Sequence, residues 1–114
     1  MNWKNLSSIQ GLDELVAQSH EQPCLLFKHS TRCSISAMAK HRLERDWLAS
    51  TPSLQPFYLD LIAFRQISNE VESRFGIRHE SPQALLIQNG RCVYDASHLD
   101  IHLDEIVSIS STAN

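Results

Sequence analysis

Cys33 is the residue of this chain best placed to do chemistry. It follows the cation-bearing stretch Lys28-His29-Ser30-Thr31-Arg32 and stands directly before a helical pattern that begins at Ser34. The start of a helix leaves backbone N–H groups unpaired and carries the positive end of the helix dipole, so it favours an anion. Lys28, His29 and Arg32 add positive charge close by. Such surroundings raise the thiolate fraction of a cysteine, and the thiolate is the nucleophile of thiol–disulfide exchange. The bland alternative is a thiol that merely falls at a helix start; position and charge together favour the reactive one.

Ser36 stands where the second cysteine of a Cys-x-x-Cys pattern would be, in Cys33-Ser34-Ile35-Ser36. One helical turn brings it back under Cys33, where its hydroxyl is expected to hydrogen-bond the thiolate. It cannot form a disulfide, so a mixed disulfide on Cys33 must be resolved by a thiol from outside. By itself the pattern is weak, since a serine is also an ordinary small residue of a first helical turn. The other cysteines, Cys24 and Cys92, are expected to be inert apolar residues. Cys24 begins the strand whose far end precedes Cys33, well over ~10 Å away at ~3.3 Å per residue. A disulfide needs Cα atoms within about 7 Å. Among the six histidines and three cysteines His98 and His102 are four apart, but Asp100 between them is expected to cap a helix that contains only His102, and no Cys-x-x-Cys completes a zinc-ligand set, so no metal is expected.

Ser81-Pro82 is the second informative site. A proline at a strand entrance is either a cis bond presenting backbone to an extended substrate segment or an ordinary trans residue on an edge strand. His29, Arg32, Ser81 and Pro82 are the candidate substrate-contacting residues around a catalytic Cys33 and Ser36.

The elements that must position these residues can be read along the chain. Ile9, Leu12, Leu15 and Val16 have helical spacing, with Ser7 or Ser8 as cap. Cys24-Leu25-Leu26-Phe27 reads as a strand buried on both faces, ended by the polar residues after it. Ile35, Met38, Ala39, Leu43 and Trp47 mark one face of a second helix. Phe57 to Leu61 is a strand, and Ile67, Val71 and Phe75 form a third helix that Gly76 caps. Ala84 to Ile87 and Arg91 to Asp95 flank Asn89-Gly90, a strong hairpin signal. Leu103, Ile106 and Val107 give a last helix capped by Asp100, and the residues from Ser108 look like a fraying tail. The order α-β-α-β-α-β-β-α implies a thioredoxin-like α/β fold: a four-stranded mixed sheet with helices on both faces. The expected organisation is one domain over 1–110 and a tail over 111–114.

Composition narrows the function classes. The 114 residues carry ten Lys and Arg against thirteen Asp and Glu, a net charge of −3 with no basic stripe, which argues against nucleic-acid binding. Apolar runs of at most four residues exclude a bilayer-spanning helix, and the first residues lack a signal-peptide pattern. The expected address is therefore the cytoplasm, where thiols stay reduced.

Phe27-Lys28-His29-Ser30-Thr31-Arg32-Cys33 with Ser34-Ile35-Ser36 resembles the active-site segment of the YtxJ-like monothiol bacilliredoxins. The stretches Asp60 to Arg65, Ile67 to Glu70, Phe75-Gly76-Ile77 and His79-Glu80-Ser81-Pro82-Gln83 look like the same family, so the similarity covers almost the whole chain. The resemblance implies a thioredoxin-like fold, a cis-Pro82 loop, Cys33 as nucleophile and Ser36 in the resolving position. It also implies S-thiolated proteins as partners, with no bound cofactor and a small thiol, bacillithiol, as co-substrate. In one respect the chain departs from the family, which commonly has proline after the cysteine where this chain has Ser34.

The leading expectation is a monothiol thiol–disulfide oxidoreductase, monomeric or weakly dimeric. Its rivals are a non-catalytic thioredoxin-like binding module and a peroxide- or arsenate-type reductase. The lack of a second cysteine near the site weighs against the reductase.

Overall fold

A run that is apolar at every position must be covered on both faces, and Cys24-Leu25-Leu26-Phe27 lies at the centre of the molecule. In the computed structural model, which describes residues 1–50 and 52–112, the elements are β1 (Lys4–Asn5), α1 (Ile9–Gln18), β2 (Cys24–His29), α2 (Ser34–Ser50) and β3 (Gln55–Asp60). After them come α3 (Arg65–Phe75), β4 (Gln83–Gln88), β5 (Arg91–Ser97), a 3-10 turn (His98–Asp100) and α4 (Leu103–Thr112). The sheet order is β1-β3-β2-β4-β5. β2 runs parallel to β3 and antiparallel to β4, and β4 to β5 is the antiparallel hairpin. This is the mixed α/β sheet of the thioredoxin-like fold.

Alternation along β2 divides the core. Cys24 and Leu26 face Leu12, Leu15 and Val71 of α1 and α3, whereas Leu25 and Phe27 face Ala39, Leu43 and Ile106 of α2 and α4. Each fully buried Leu or Phe contributes about 1.5–3 kcal/mol, so β2 is the strand that holds both layers to the sheet. Ser8 caps α1 by accepting the Gly11 N–H at 2.9 Å. Gly76 ends α3 at φ 68°, the left-handed conformation that glycine adopts without strain. Asn89 and Gly90 both have positive φ, as a two-residue hairpin turn requires.

The structure corrects several expectations. The sheet has five strands where four were expected, because Lys4–Asn5 adds a short parallel edge strand to β3. β2 does not stop at Phe27; Lys28 and His29 continue the ladder opposite Leu59 and Asp60 and are both buried. Ile35 and Met38 are exposed, since α2 packs through Ser36, Ala39 and Leu43 instead. Asp100 lies in the 3-10 turn before α4 and does not cap it. α4 continues through Ser108 to Thr112, so helix extends into the segment expected as a tail; residues 113 and 114 lie outside the described residues.

Candidate functional site

Two chain segments emerge at one end of the sheet. β2 ends at His29 and leads into Ser30–Cys33; β4 begins at Gln83, which pairs with Lys28 across the antiparallel ladder. The register therefore brings the turn containing Cys33 and the loop ending at Pro82 to the same end of the sheet.

Cys33 stands at the start of α2. Its N–H donates to the Ser30 carbonyl at 3.1 Å, and its own carbonyl accepts the first intrahelical bond, from Ala37 N–H at 3.1 Å. That is the N-cap position, whose side chain lies near the free N–H groups of the first turn. Cys33 is a free, half-buried thiol. Arg32 before it is exposed and makes no side-chain hydrogen bond among the described residues.

Ser36 does lie beneath this turn, fully buried, but its hydroxyl is committed elsewhere. Oγ accepts the Ser30 N–H at 3.0 Å and lies 2.6 Å from Nδ1 of His29. The expected bond from Ser36 to the Cys33 thiolate is therefore replaced by one that ties α2 back to the end of β2. His29 is 6% exposed, stacked on Phe27 and tilted against Tyr58. Burial, reinforced by Lys40, holds it below the usual histidine range. It is a buried strut beneath the turn that carries Cys33, tied to Ser36 and packed among aromatic rings.

The remaining cysteines lie at the other pole. Cys24 begins β2 opposite Ile87, and Ile87 pairs in turn with Cys92. Burial pushes both thiols up to about 11. Neither is a resolving partner for Cys33.

Ser81–Pro82 is a cis peptide, and the loop around it is pinned at nearly every residue. The Gln83 side chain donates to the Arg78 carbonyl at 3.0 Å and accepts the Glu80 N–H at 3.4 Å. Glu72 accepts the His79 N–H at 2.6 Å. The Pro82 carbonyl accepts the His98 N–H at 2.9 Å, and the His98 ring lies 3.7 Å from Glu80. Ser81 is open at every polar group it carries: its N–H and carbonyl have no partner among the described residues, and its Oγ is buried without a hydrogen bond. Buried polar groups are ordinarily paired, so this is the point of the loop with unspent hydrogen-bonding capacity.

Sequence reasoning misses the groups beneath the loop. Lys28, by its place after an apolar run a surface cation, is wholly buried, with Nζ 3.4 Å from the Ser68 carbonyl and 3.3 Å from His79 Nδ1. Its parity with Cys24 and Leu26 is the available signal, since alternate strand residues share a face.

A thioredoxin fold carrying one cysteine at the start of α2, with a loop holding a cis-proline at the same end of the sheet, defines a monothiol redox protein of the thioredoxin class. The chain belongs to the monothiol bacilliredoxin BrxC family, which it matches over residues 4–106. It is similar to a solved protein described as a putative oxidoreductase with a thioredoxin fold, at 27% identity and TM-score 0.80, over 91% of this chain and 89% of that one. The thioredoxin of Malassezia sympodialis is 19% identical with a TM-score of 0.76, over 96% and 91% of the two chains. Fasciola hepatica thioredoxin is 12% identical with a TM-score of 0.77, over 94% and 98%. These last two share the fold alone.

Proposed function

We propose that the protein removes a small thiol from protein mixed disulfides through Cys33, with bacillithiol as that thiol. The Cys33 thiolate attacks the small-thiol sulfur of a protein–S–S–R substrate. A Cys33–S–S–R bond forms as the protein–sulfur bond breaks, and the protein thiolate leaves and takes up a proton. A second small thiol, as thiolate, then attacks the same sulfur, giving R–S–S–R and regenerating the Cys33 thiolate. Electrons balance: two small thiols end as one disulfide, and one protein sulfur is reduced. Arg32, next to Cys33 in the chain and exposed, is available to contact the substrate, and the open Ser81 backbone pairs with an extended segment of the substrate protein.

The observation that carries this reading is the isolation of Cys33. It stands at a helix N-cap, position 36 is a serine whose hydroxyl is already bonded, and the other two thiols are at the opposite pole. Self-resolution is impossible, so an external thiol must complete the cycle. Family membership supports the substrate class. The reading places the protein in the reducing cytoplasm as a monomer or weak dimer, with S-thiolated proteins as partners.

The test is incubation with a bacillithiolated protein while intact masses are followed. The expected result is transfer of the bacillithiol mass to Cys33 and release by added bacillithiol. Full turnover by Cys33→Ser, or no transfer to the wild-type protein, rejects the proposal.

A further inference from the structure

Lys28 has no place in the exchange chemistry, yet it is a charged side chain with no exposed surface. Such a group is retained only if it is paired or hydrogen-bonded. Its Nζ lies between two elements: the Ser68 carbonyl of α3 at 3.4 Å and Nδ1 of His79, in the loop, at 3.3 Å. A lysine ammonium has three donors and no acceptor, so His79 Nδ1 must accept. Ser68 Oγ stands 3.2 Å from the same nitrogen and is the second donor available to it.

The charged groups around this cluster are few. α3 supplies Glu72, whose carboxylate acts on both Lys28 and His79, and Arg65, whose charge acts on His79. The loop supplies Glu80. The neighbours of Lys28 in register, Leu59 on β3 and Gln83 on β4, carry no charge. His79 is held below the usual histidine range by burial, Lys28 and Arg65, which keeps it neutral and able to accept.

His79 lies two residues before Ser81, the open point of the loop. Its ring is held by Lys28 and its N–H by Glu72, so strand β2 and helix α3 grip the loop from below. Lys28 lies on the α1–α3 face of the sheet, whereas Ser36 and His29 lie on the α2–α4 face with the N-terminus of α2. The grip therefore reaches the substrate loop without touching the nucleophile.

We propose that Lys28 and His79 form a buried positioning pair that fixes the Ser81–Pro82 loop for capture of the protein substrate. Lys28 is a positioning residue, and the proposal rests on the exchange function given above. It separates binding from chemistry. A protein mixed disulfide needs the loop to pair with its backbone; a small symmetric disulfide does not.

The experiment uses Lys28→Met, which keeps length and volume, and His79→Ala, which opens the pair from the loop side. Each is assayed with a bacillithiolated protein, with a small symmetric disulfide, and by hydrogen exchange of the His79–Ser81 amides. The expected result is a rise of about tenfold in KM for the protein substrate with kcat unchanged. The Cys33 reaction with the small disulfide should be unaltered, and loop exchange faster by a similar factor. Folded variants with wild-type KM and wild-type loop exchange overturn the proposal, as does a loss confined to kcat or one shared equally with the small disulfide. Should the wild-type protein show no transfer to Cys33, the exchange function falls. Loop exchange then still decides whether the pair holds the loop.

Discussion

Ser36 Oγ lies 2.6 Å from His29 Nδ1 and accepts the Ser30 N–H at 3.0 Å, so the residue in the resolving position works as a structural clasp. Ser36→Ala should leave the Ser30 N–H and the His29 nitrogen unsatisfied in a buried place, costing about 1–3 kcal/mol. Urea denaturation measures it. An unchanged midpoint would mean that water or a rearranged backbone takes over both groups.

Ser36→Cys changes the chemistry. Positions 33 and 36 are one helical turn apart, within disulfide reach. The variant should resolve its own mixed disulfide, so the Cys33 adduct seen by intact mass in the wild-type protein becomes short-lived and is replaced by an oxidised form two mass units lighter than the dithiol. Persistence of the adduct at wild-type levels counts against the monothiol account of position 36.

Alkylation should distinguish the three thiols at neutral pH. Cys24 and Cys92 are pushed up to about 11 by burial, which leaves them on the order of 100-fold less thiolate than an ordinary cysteine. Cys33 should therefore be labelled first and Cys24 and Cys92 only on unfolding. Peptide mapping after a short pulse of iodoacetamide reads this directly; early label on Cys24 would contradict it.

Much of this site is legible in the amino-acid sequence. The position of Cys33 follows from an apolar strand, a polar turn and a helical repeat, each set by local spacing. The Asn89-Gly90 hairpin and the Gly76 cap follow from residues that tolerate positive φ. Lys28 and His29 mislead because a charged residue after an apolar run ordinarily marks a loop. The partners of Lys28, the Ser68 carbonyl and His79, lie far along the chain, and Ser36 reaches His29 only across the turn into α2, so no strand or helix periodicity reveals either contact. The edge strand Lys4–Asn5 escapes a sequence reading for a related reason. Two exposed residues show no alternation, and only the partner strand β3 defines them.

Acid should weaken the fold through two histidines. His29 and His79 are both held below the usual range, chiefly by burial. The unfolded chain then binds protons that the native state refuses, so stability is full above the unfolded histidine value of about 6.5 and falls as pH drops below it. His29→Phe, which keeps the aromatic contacts with Phe27 and Tyr58, should flatten part of this slope. Denaturation midpoints at pH 7 and pH 5 give the comparison. An equal slope in the variant assigns the loss to other groups.

Lys28 should show that positioning and stability are separate. Burial holds its ammonium down to about 8, against Glu72, which acts in the opposite sense. Between that value and the ordinary lysine value the unfolded chain binds more protons than the native one. Stability from this group therefore rises with pH from about 8 to 10.5, and the cost of the buried charge is fully present below 8. Lys28→Met removes that cost. Its loss also leaves His79 Nδ1 with a donor, because Ser68 Oγ stands 3.2 Å away. Replacing a buried charge by an apolar side chain of similar volume is often neutral or stabilising. The variant should therefore be at least as stable as the wild-type protein at pH 7 and should lack the alkaline gain, even while its loop exchanges faster. Urea midpoints at pH 7 and pH 9.5 decide the matter. A marked drop at pH 7, about 2 kcal/mol or more, would show that the ammonium holds the whole fold together and not the loop alone.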